Sequence, residues 1–456
     1  MSRWLRLWRL RTQRWSARGA AGLAAAGEAE ASVARPTLRM VPRLRSKKGG
    51  DARVARGSPW IFRDEAANAE ELRALGHPAL LANVENSEGR EMGSAVVNLQ
   101  KGGPTGCVNI FARMVSDNVN DSIDRSFFVK HIRRALQHRE HIFGSHTYYR
   151  LLNAEGDHLP GVACDRYGDV LCVQFTSAAM ELLFEKEVLD ALELVLAPRA
   201  IIMRYDAHTD RQLELAPIRQ PFVARGEYTG PTVLPEEDGF AFEVDLLAAD
   251  CPSGHFFAER PQRALLSRAL ADAGAVAGGA GAAPRALSLF GRSSGVFCAA
   301  RGARATCVEG PGEASRAHVE AMAQRNGCRE VVECLHLELP QAQLLGEGRL
   351  RSYDVVALEP HALAPTYGRL EEGLQGYAAW VAVAAAATRP GGFLLVACRS
   401  RTVTGVRLLR SVNLGIWSAK RRARLVHRSA APPGDFPVHL ALPNSCDLQV
   451  LGLRVQ

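Results

Sequence analysis

The sequence predicts an α/β protein with a small N-terminal β-barrel, a central α+β region and a C-terminal, mostly parallel sheet covered on both faces. Three observations predict it. Short apolar runs separated by turn residues fill the segment before residue 116. Beyond about residue 240, strand and helix patterns alternate to the end. Finally, Leu287-Ser-Leu-Phe-Gly-Arg-Ser-Ser-Gly-Val-Phe297 is followed by Cys307-Val-Glu309. That is an apolar strand, a Gly/Ser turn, a helical pattern and a second strand ending on a carboxylate, the opening of a nucleotide-binding βαβ unit.

The elements follow in order. The first 27 residues hold Arg3, Arg6, Arg9, Arg11, Arg14 and Arg18, interleaved with Trp4, Leu5, Trp8, Leu10 and Trp15, and no acid. Residues 1–37 therefore read as an organellar targeting leader, mitochondrial or alternatively plastid. A disordered basic arm that grips RNA is the competing reading. From 38 to 116, strands at Leu80–Val84, Gly93–Val97 and Val108–Met114 are separated by the turns Asn86–Gly89 and Gly102–Pro104, as in a small barrel. Residues 117–238 form a central region. Phe127, Phe128, Ile132, Ala135 and Leu136 recur at helical spacing between Ile123 and Arg139, and a second helix is expected over Ala178–Leu196. Residues 239–456 carry later strands at Val331–Val332, Asp354–Leu358, Gly392–Ala397 and Gln449–Val455. The Ala/Gly run Ala271–Ala283 reads as a flexible loop.

The chemistry starts in the βαβ unit. Gly291 and Gly295 let the backbone approach a ligand, and Glu309 at the strand tip suits a ribose diol. An ordinary strand-to-helix turn would look similar. The G-x-G-x-x-G that cradles a pyrophosphate is absent, which suits S-adenosylmethionine, a ligand with a ribose and no pyrophosphate. The chain has 456 residues, room for two or three domains, and a net charge of +8. That charge favours an anionic partner such as RNA, although organellar proteins are often basic without one. No apolar stretch approaches a membrane span. The 10 cysteines form no CxxC pair, so neither a zinc site nor a disulfide framework is expected.

Several phrases together resemble the RlmI-type family of ribosomal RNA large-subunit cytosine-C5 methyltransferases over roughly residues 38 to 456. Arg56-Gly-Ser-Pro-Trp-Ile-Phe62 is similar to its PUA-domain signature, with Ser58 in place of a His. Tyr149-Arg-Leu-Leu-Asn-Ala-Glu-Gly-Asp-His-Leu-Pro-Gly161 and Asp165-Arg-Tyr167 resemble its most specific phrase. Gly254-His-Phe-Phe-Ala-Glu-Arg260, Tyr377 and Pro390-Gly-Gly392 match segments around the catalytic sheet. The departures are Gly291-Arg-Ser-Ser-Gly-Val-Phe297 for Ser-Tyr-Thr-Gly-Gly-Phe, Glu359-Pro-His361 for Asp-Pro-Pro, Ala397-Cys-Arg399 for Ser-Cys-Ser, and Asp435-Phe-Pro437 for Asp-His-Pro.

The resemblance implies a PUA-like RNA-binding domain, a central domain and a Rossmann-like methyltransferase domain with S-adenosylmethionine as cofactor. It implies cofactor contacts at Phe290, Gly291, Ser294, Gly295, Glu309, Cys334 and Glu359, and ribosomal RNA as partner. Arg43, Arg45, Lys47 and Lys48 would position that RNA through its phosphates. It implies Cys398 as the thiolate that adds to cytosine C6, with Arg399 lowering its pKa and Glu359 bonding at N3. A glutamate in place of the family's aspartate moves that carboxylate by about 1 Å. The competing reading is a catalytically inactive relative kept as an RNA-binding ribosome assembly factor or structural subunit. The sequence leaves a homodimer open.

Overall fold

A computed structural model describes residues 41–100, 110–205, 219–230, 232–233, 239–248, 255–276, 283–291, 293–309, 313–336, 352–442 and 448–456. The expected leader, the turn at Gly102–Pro104, Gly254 and residues 277–282 of the expected loop lie outside them.

Strands β1 (Arg43–Arg45), β2 (Trp60–Phe62), β3 (Ala79–Glu85), β4 (Glu91–Asn98) and β5 (Ile110–Ser116) form a curled sheet in the order β1-β3-β4-β5-β2. Helix α1 (Ala69–Arg73) lies between β2 and β3 in the chain. The expected β3–β4 turn forms because the Asn86 side chain accepts from the backbone N–H groups of Glu88 and Arg90, and Gly89 takes φ +82°. Leu44, Ile61, Leu80, Val84, Val97 and Phe111 fill this sheet's own core.

In the central region, Asp124 caps α2 (Arg125–Phe143) by accepting from the N–H groups of Ser126 and Phe127. The helix runs one turn beyond the expected Arg139 and stops at Gly144, φ +60°. Strands β6 (Tyr148–Asn153), β7 (Val162–Tyr167), β8 (Val170–Phe175), β9 (Ala200–Met203) and β10 (Phe222–Gly226) form a second sheet, ordered β10-β9-β8-β7-β6, with α3 (Ala178–Leu196) between β8 and β9 in the chain. Both faces of this sheet are covered. Leu171, Val173, Ile201 and Met203 pack in one core with side chains of α2 and α3, while Val170, Cys172, Ala200 and Ile202 pack against the C-terminal domain. That explains unbroken apolar runs in place of polar alternation. A short pair, β11 (Thr232–Val233) and β12 (Glu243–Val244), leads on.

The C-terminal domain opens with helices α4 (His255–Ala258) and α5 (Arg260–Val276). It continues β13 (Arg285–Leu289), α6 (Ser294–Ala300), β14 (Arg304–Glu309), α7 (Glu313–Arg325), β15 (Val332–His336), β16 (Tyr353–Leu358), α8 (Leu370–Ala387) and β17 (Thr388–Cys398). It ends with α9 (Gly405–Ser418), β18 (Ala423–Ala430) and β19 (Gln449–Val455). The sheet order is β15-β14-β13-β16-β17-β19-β18, parallel from β15 to β17 and antiparallel at β19 and β18. One expectation is corrected: Ala271 to Val276 are the last turns of α5, since alanine is the best helix former, and do not belong to a loop. Among the described residues, no helix is long and apolar enough to cross a membrane.

Candidate functional site

The carboxyl rim of the parallel strands gathers three sequence-predicted residues. Leu289 is in register with Val308 on one side and Leu358 on the other, and Glu309 with His336. Backbone bonds extend the ladder by one step: Phe290 N–H donates to Val308 O (2.8 Å) and Glu359 N–H to Leu289 O (2.9 Å). The turn after β13, Glu309 and Glu359 therefore share the edge where open α/β sheets bind ligands. Phe290 holds φ +65°, a left-handed conformation that bends the chain, and its ring meets Trp380 edge-on at 4.6 Å. The Phe290 side chain thus anchors the turn to α8. Ser294 opens α6 and is buried.

Gly291 is where the turn must have no side chain. A Cβ there would lie 2.0 Å from Glu359 Oε2 and 2.8 Å from Ser288 Oγ. The carboxylate of Glu359 thus rests on the bare backbone of the turn. Glu359 is only 4% exposed, and among the described residues neither of its oxygens has a hydrogen-bond partner. Burial, then the charge of Glu259, pushes its carboxyl up to about 7, against weaker opposition from the Ser294 hydroxyl, Arg399 and Arg263. A buried carboxyl in this condition is suited to meeting a cation or holding a proton. Glu309 is likewise buried at its strand end.

Sequence reasoning gave Glu259 no role. Its Oε1 receives Arg399 Nη2 at 2.5 Å, its Oε2 receives the Ser293 hydroxyl at 3.1 Å, and Arg263 Nη1 stands 3.8 Å away. Glu259 thereby ties the segment before the first strand to the turn after β13 and to the residue after β17. Only its place in the Gly254–Arg260 phrase pointed to it.

Three of the expected site residues lie in packed layers of the domain. Gly295 serves packing: a Cβ there would lie 2.3 Å from Cys307 Sγ and 3.0 Å from Ser288 Cβ, so its absence lets α6 settle onto β13 and β14. Cys334 is paired with Cys307, two positions short of the end of β15, and packs against the same apolar layer. The strand runs on to His336, past the expected Val332, and that moves the rim away from Cys334. Cys398 is 1% exposed and belongs to the core between β17 and helices α8 and α9. Its thiol approaches Ser400 O at 4.0 Å, and burial pushes its pKa up even against Tyr377 and Ser400. Arg399 points to Glu259 on the other face and does not activate the thiol. Ser400 further binds the two loops together: Ala364 N–H donates to its Oγ at 3.0 Å, and Tyr377 Oη lies 3.1 Å from it.

In the barrel, Arg43 and Arg45 are ion-paired with Glu85 and Glu71, both at 2.6 Å. Trp60 is half-buried and donates its indole N–H to Glu155 Oε1 of the central region at 2.9 Å, a docking contact. Among the described residues, no group of His, Cys, Asp and Glu is arranged to hold a metal.

Residues 44–104 match the family model of a PUA-like domain. The chain is 26% identical to Ribosomal RNA large subunit methyltransferase I of Shewanella denitrificans, over 91% of this chain and 100% of the relative. It is 31% identical to the protein of that name from Pseudoalteromonas translucida, over 48% of this chain and 52% of the relative. Among solved structures, a methyltransferase complexed with SAH aligns at TM-score 0.71 and 18% identity, covering 91% of this chain and 100% of the other. A SAM-dependent methyltransferase from Streptococcus mutans aligns at TM-score 0.68 and 17% identity with the same coverage. Those structures share the fold, the Shewanella denitrificans relative aligns over nearly the whole length, and the N-terminal domain matches separately. By these likenesses together, the chain is similar over nearly its whole length to the ribosomal RNA large-subunit methyltransferases named I, and it matches a PUA-like domain near its N-terminus.

Proposed function

We propose that this chain is an S-adenosylmethionine-dependent methyltransferase that modifies large-subunit ribosomal RNA. The observation that carries the reading is the buried Glu359 carboxylate against the bare Gly291 turn, on the same rim as Glu309. The residues present fit the cofactor: a cradle that a Cβ would fill, a buried carboxyl whose oxygens have no hydrogen-bond partner among the described residues, and an acid at the second strand end. S-adenosylmethionine supplies a methyl group on a positively charged sulfur. Glu309 would accept from the ribose hydroxyls, and Glu359 would face the positive end of the ligand. A cation beside Glu359 favours its ionised form, so binding should expel a proton near neutral pH. Calorimetric titration of the full chain at pH 6.5, in two buffers of different ionisation enthalpy, should show more proton release with S-adenosylmethionine than with S-adenosylhomocysteine, whose sulfur carries no charge. No heat at millimolar cofactor ends the enzyme reading.

The resemblance carries the finer reading, cytosine C5 as target with Cys398 as nucleophile; because the thiol is buried, that reading requires the Arg399–Val403 loop to shift and bare it. Cys398→Ala should then bind cofactor as wild type does and fail to methylate an unmodified large-subunit transcript. A second reading, an RNA-binding relative with no methyl transfer, is favoured by the inward thiol and by the engagement of Arg399 with Glu259. It predicts an unmethylated transcript even where cofactor binding is proven. The arginine-rich leader supports residence in an organelle, the mitochondrion first and the plastid as alternative. Residues 1–37 fused to a fluorescent protein would report which.

A further inference from the structure

From Arg399 to Gly434 the chain carries nine arginines and lysines and no aspartate or glutamate. The segment folds as α9, the turn after it, and β18, the edge strand of the seven-stranded sheet. Leu408, Ser411, Val412, Gly415 and Ile416 face inward. The opposite face then presents Val406, Arg407, Arg410, Asn413, Leu414 and Trp417 at helical spacing. Trp417 is 74% exposed, which is far from the usual place of a tryptophan. Lys420, Arg422 and Arg424 continue the exposed basic series beyond the helix, and Arg428 lies over Gly405 at its start. None of Arg407, Arg410, Lys420, Arg422, Arg424 and Arg428 has an acidic partner among the described residues. Helix α8, packed beside α9, has no acid after Glu372.

This contrasts with the open groove of about 890 Å³ on the barrel, where Lys47, Arg53 and Arg63 share the lining with Asp64, Glu70 and Glu71. A surface of uncompensated cations around an exposed aromatic ring matches a polyanion with stackable bases. A protein partner would have to bring a matching field of carboxylates.

We propose that the outward face of α9 and the turn into β18 form a second RNA-contacting surface, separate from the PUA-like domain. Arg407, Arg410 and Lys420 grip the phosphate backbone, and Trp417 stacks on an unpaired base. The inference rests on RNA being the partner and does not depend on methyl transfer.

The test uses the full chain with two fluorescent probes, a 20-nucleotide uridine oligomer and a 20-base-pair RNA duplex, read by anisotropy between 50 and 200 mM salt. Arg407→Gln/Arg410→Gln should weaken both, and the log–log salt slope should become shallower by about 1.4 to 1.8 as two phosphate contacts are lost. Trp417→Ala should weaken the single strand about tenfold with the slope unchanged. Wild-type affinity and slope in both variants would overturn the proposal. So would self-association of the wild type in sedimentation that Trp417→Ala abolishes while RNA affinity stays intact, since the face would then be a protein contact. If the wild type binds neither probe, the ribosomal RNA reading falls too. If it binds and the variants match it, only this surface falls.

Discussion

Glu359 makes the site sensitive to pH. An unfolded chain ionises this glutamate near 4.5, while the folded chain holds the proton up to about 7. Its contribution to stability is therefore present in full below pH 4.5 and is lost as pH rises through 7, by at most about 3 kcal/mol. Glu359→Gln should remove that decline. Thermal unfolding from pH 5 to 8 should show the variant gaining on wild type as pH rises, and parallel curves would reject the assignment. The rim positions of Gly291, Glu309 and Glu359 were legible because they follow from where apolar runs stop. The inward facing of Cys334 and Cys398 was not legible, because one residue of offset in a strand turns a side chain to the other layer, and the packing of Gly295 on Cys307 was not, because it is a contact between a helix and a neighbouring strand. Glu259 was illegible for a different reason. Its partners, Ser293 and Arg399, are 34 and 140 residues away in the chain.

At the scale of single elements, α6 rests on β13 and β14 through Gly295. Gly295→Ala puts a methyl against Cys307 Sγ and should cost about 1–3 kcal/mol by overpacking. Cys307→Ala removes the clashing sulfur and leaves Cys307 Cβ's position at an ordinary 3.7 Å. The double variant should then be more stable than the sum of the single effects implies. Denaturant midpoints of the four proteins decide it, and strict additivity would show that the contact does not set the packing. Helix α3 was legible residue for residue, since Ser177 caps it and its apolar pattern is unbroken. Strand β18 was not. Its exposed arginines hide the period-2 pattern, as suits an edge strand that must resist pairing with other chains.

The whole molecule is joined at the phrase that was most family-like in sequence. The short 3-10 turn Ala154–Asp157 touches all three parts. Glu155 receives Trp60 and Arg113 of the barrel. Asn153 donates to Pro437 O at 2.9 Å, and a Cβ on Gly156 would sit 1.9 Å from the same oxygen. Asp157 holds Arg139, which also donates to Asp435 O at 3.2 Å. Asp435 in turn accepts from the Arg150 N–H and pairs with Arg260 at 2.6 Å. Burial would raise the Glu155 carboxyl, but Arg113 and the Trp60 indole outweigh it and hold it below the usual range. Its contribution is therefore present above pH 4.5 and disappears as acid protonates it. Glu155→Gln should cost about 3–5 kcal/mol at pH 7, because it strands a buried arginine, and should cost progressively less toward pH 4. The barrel should still melt with the rest, since Ala79, Val96 and Val115 share one core with α2 and α3. Scanning calorimetry of the variant should thus give one transition at lower temperature. A separate barrel transition would mean that the polar junction, and not the shared apolar core, unites the molecule.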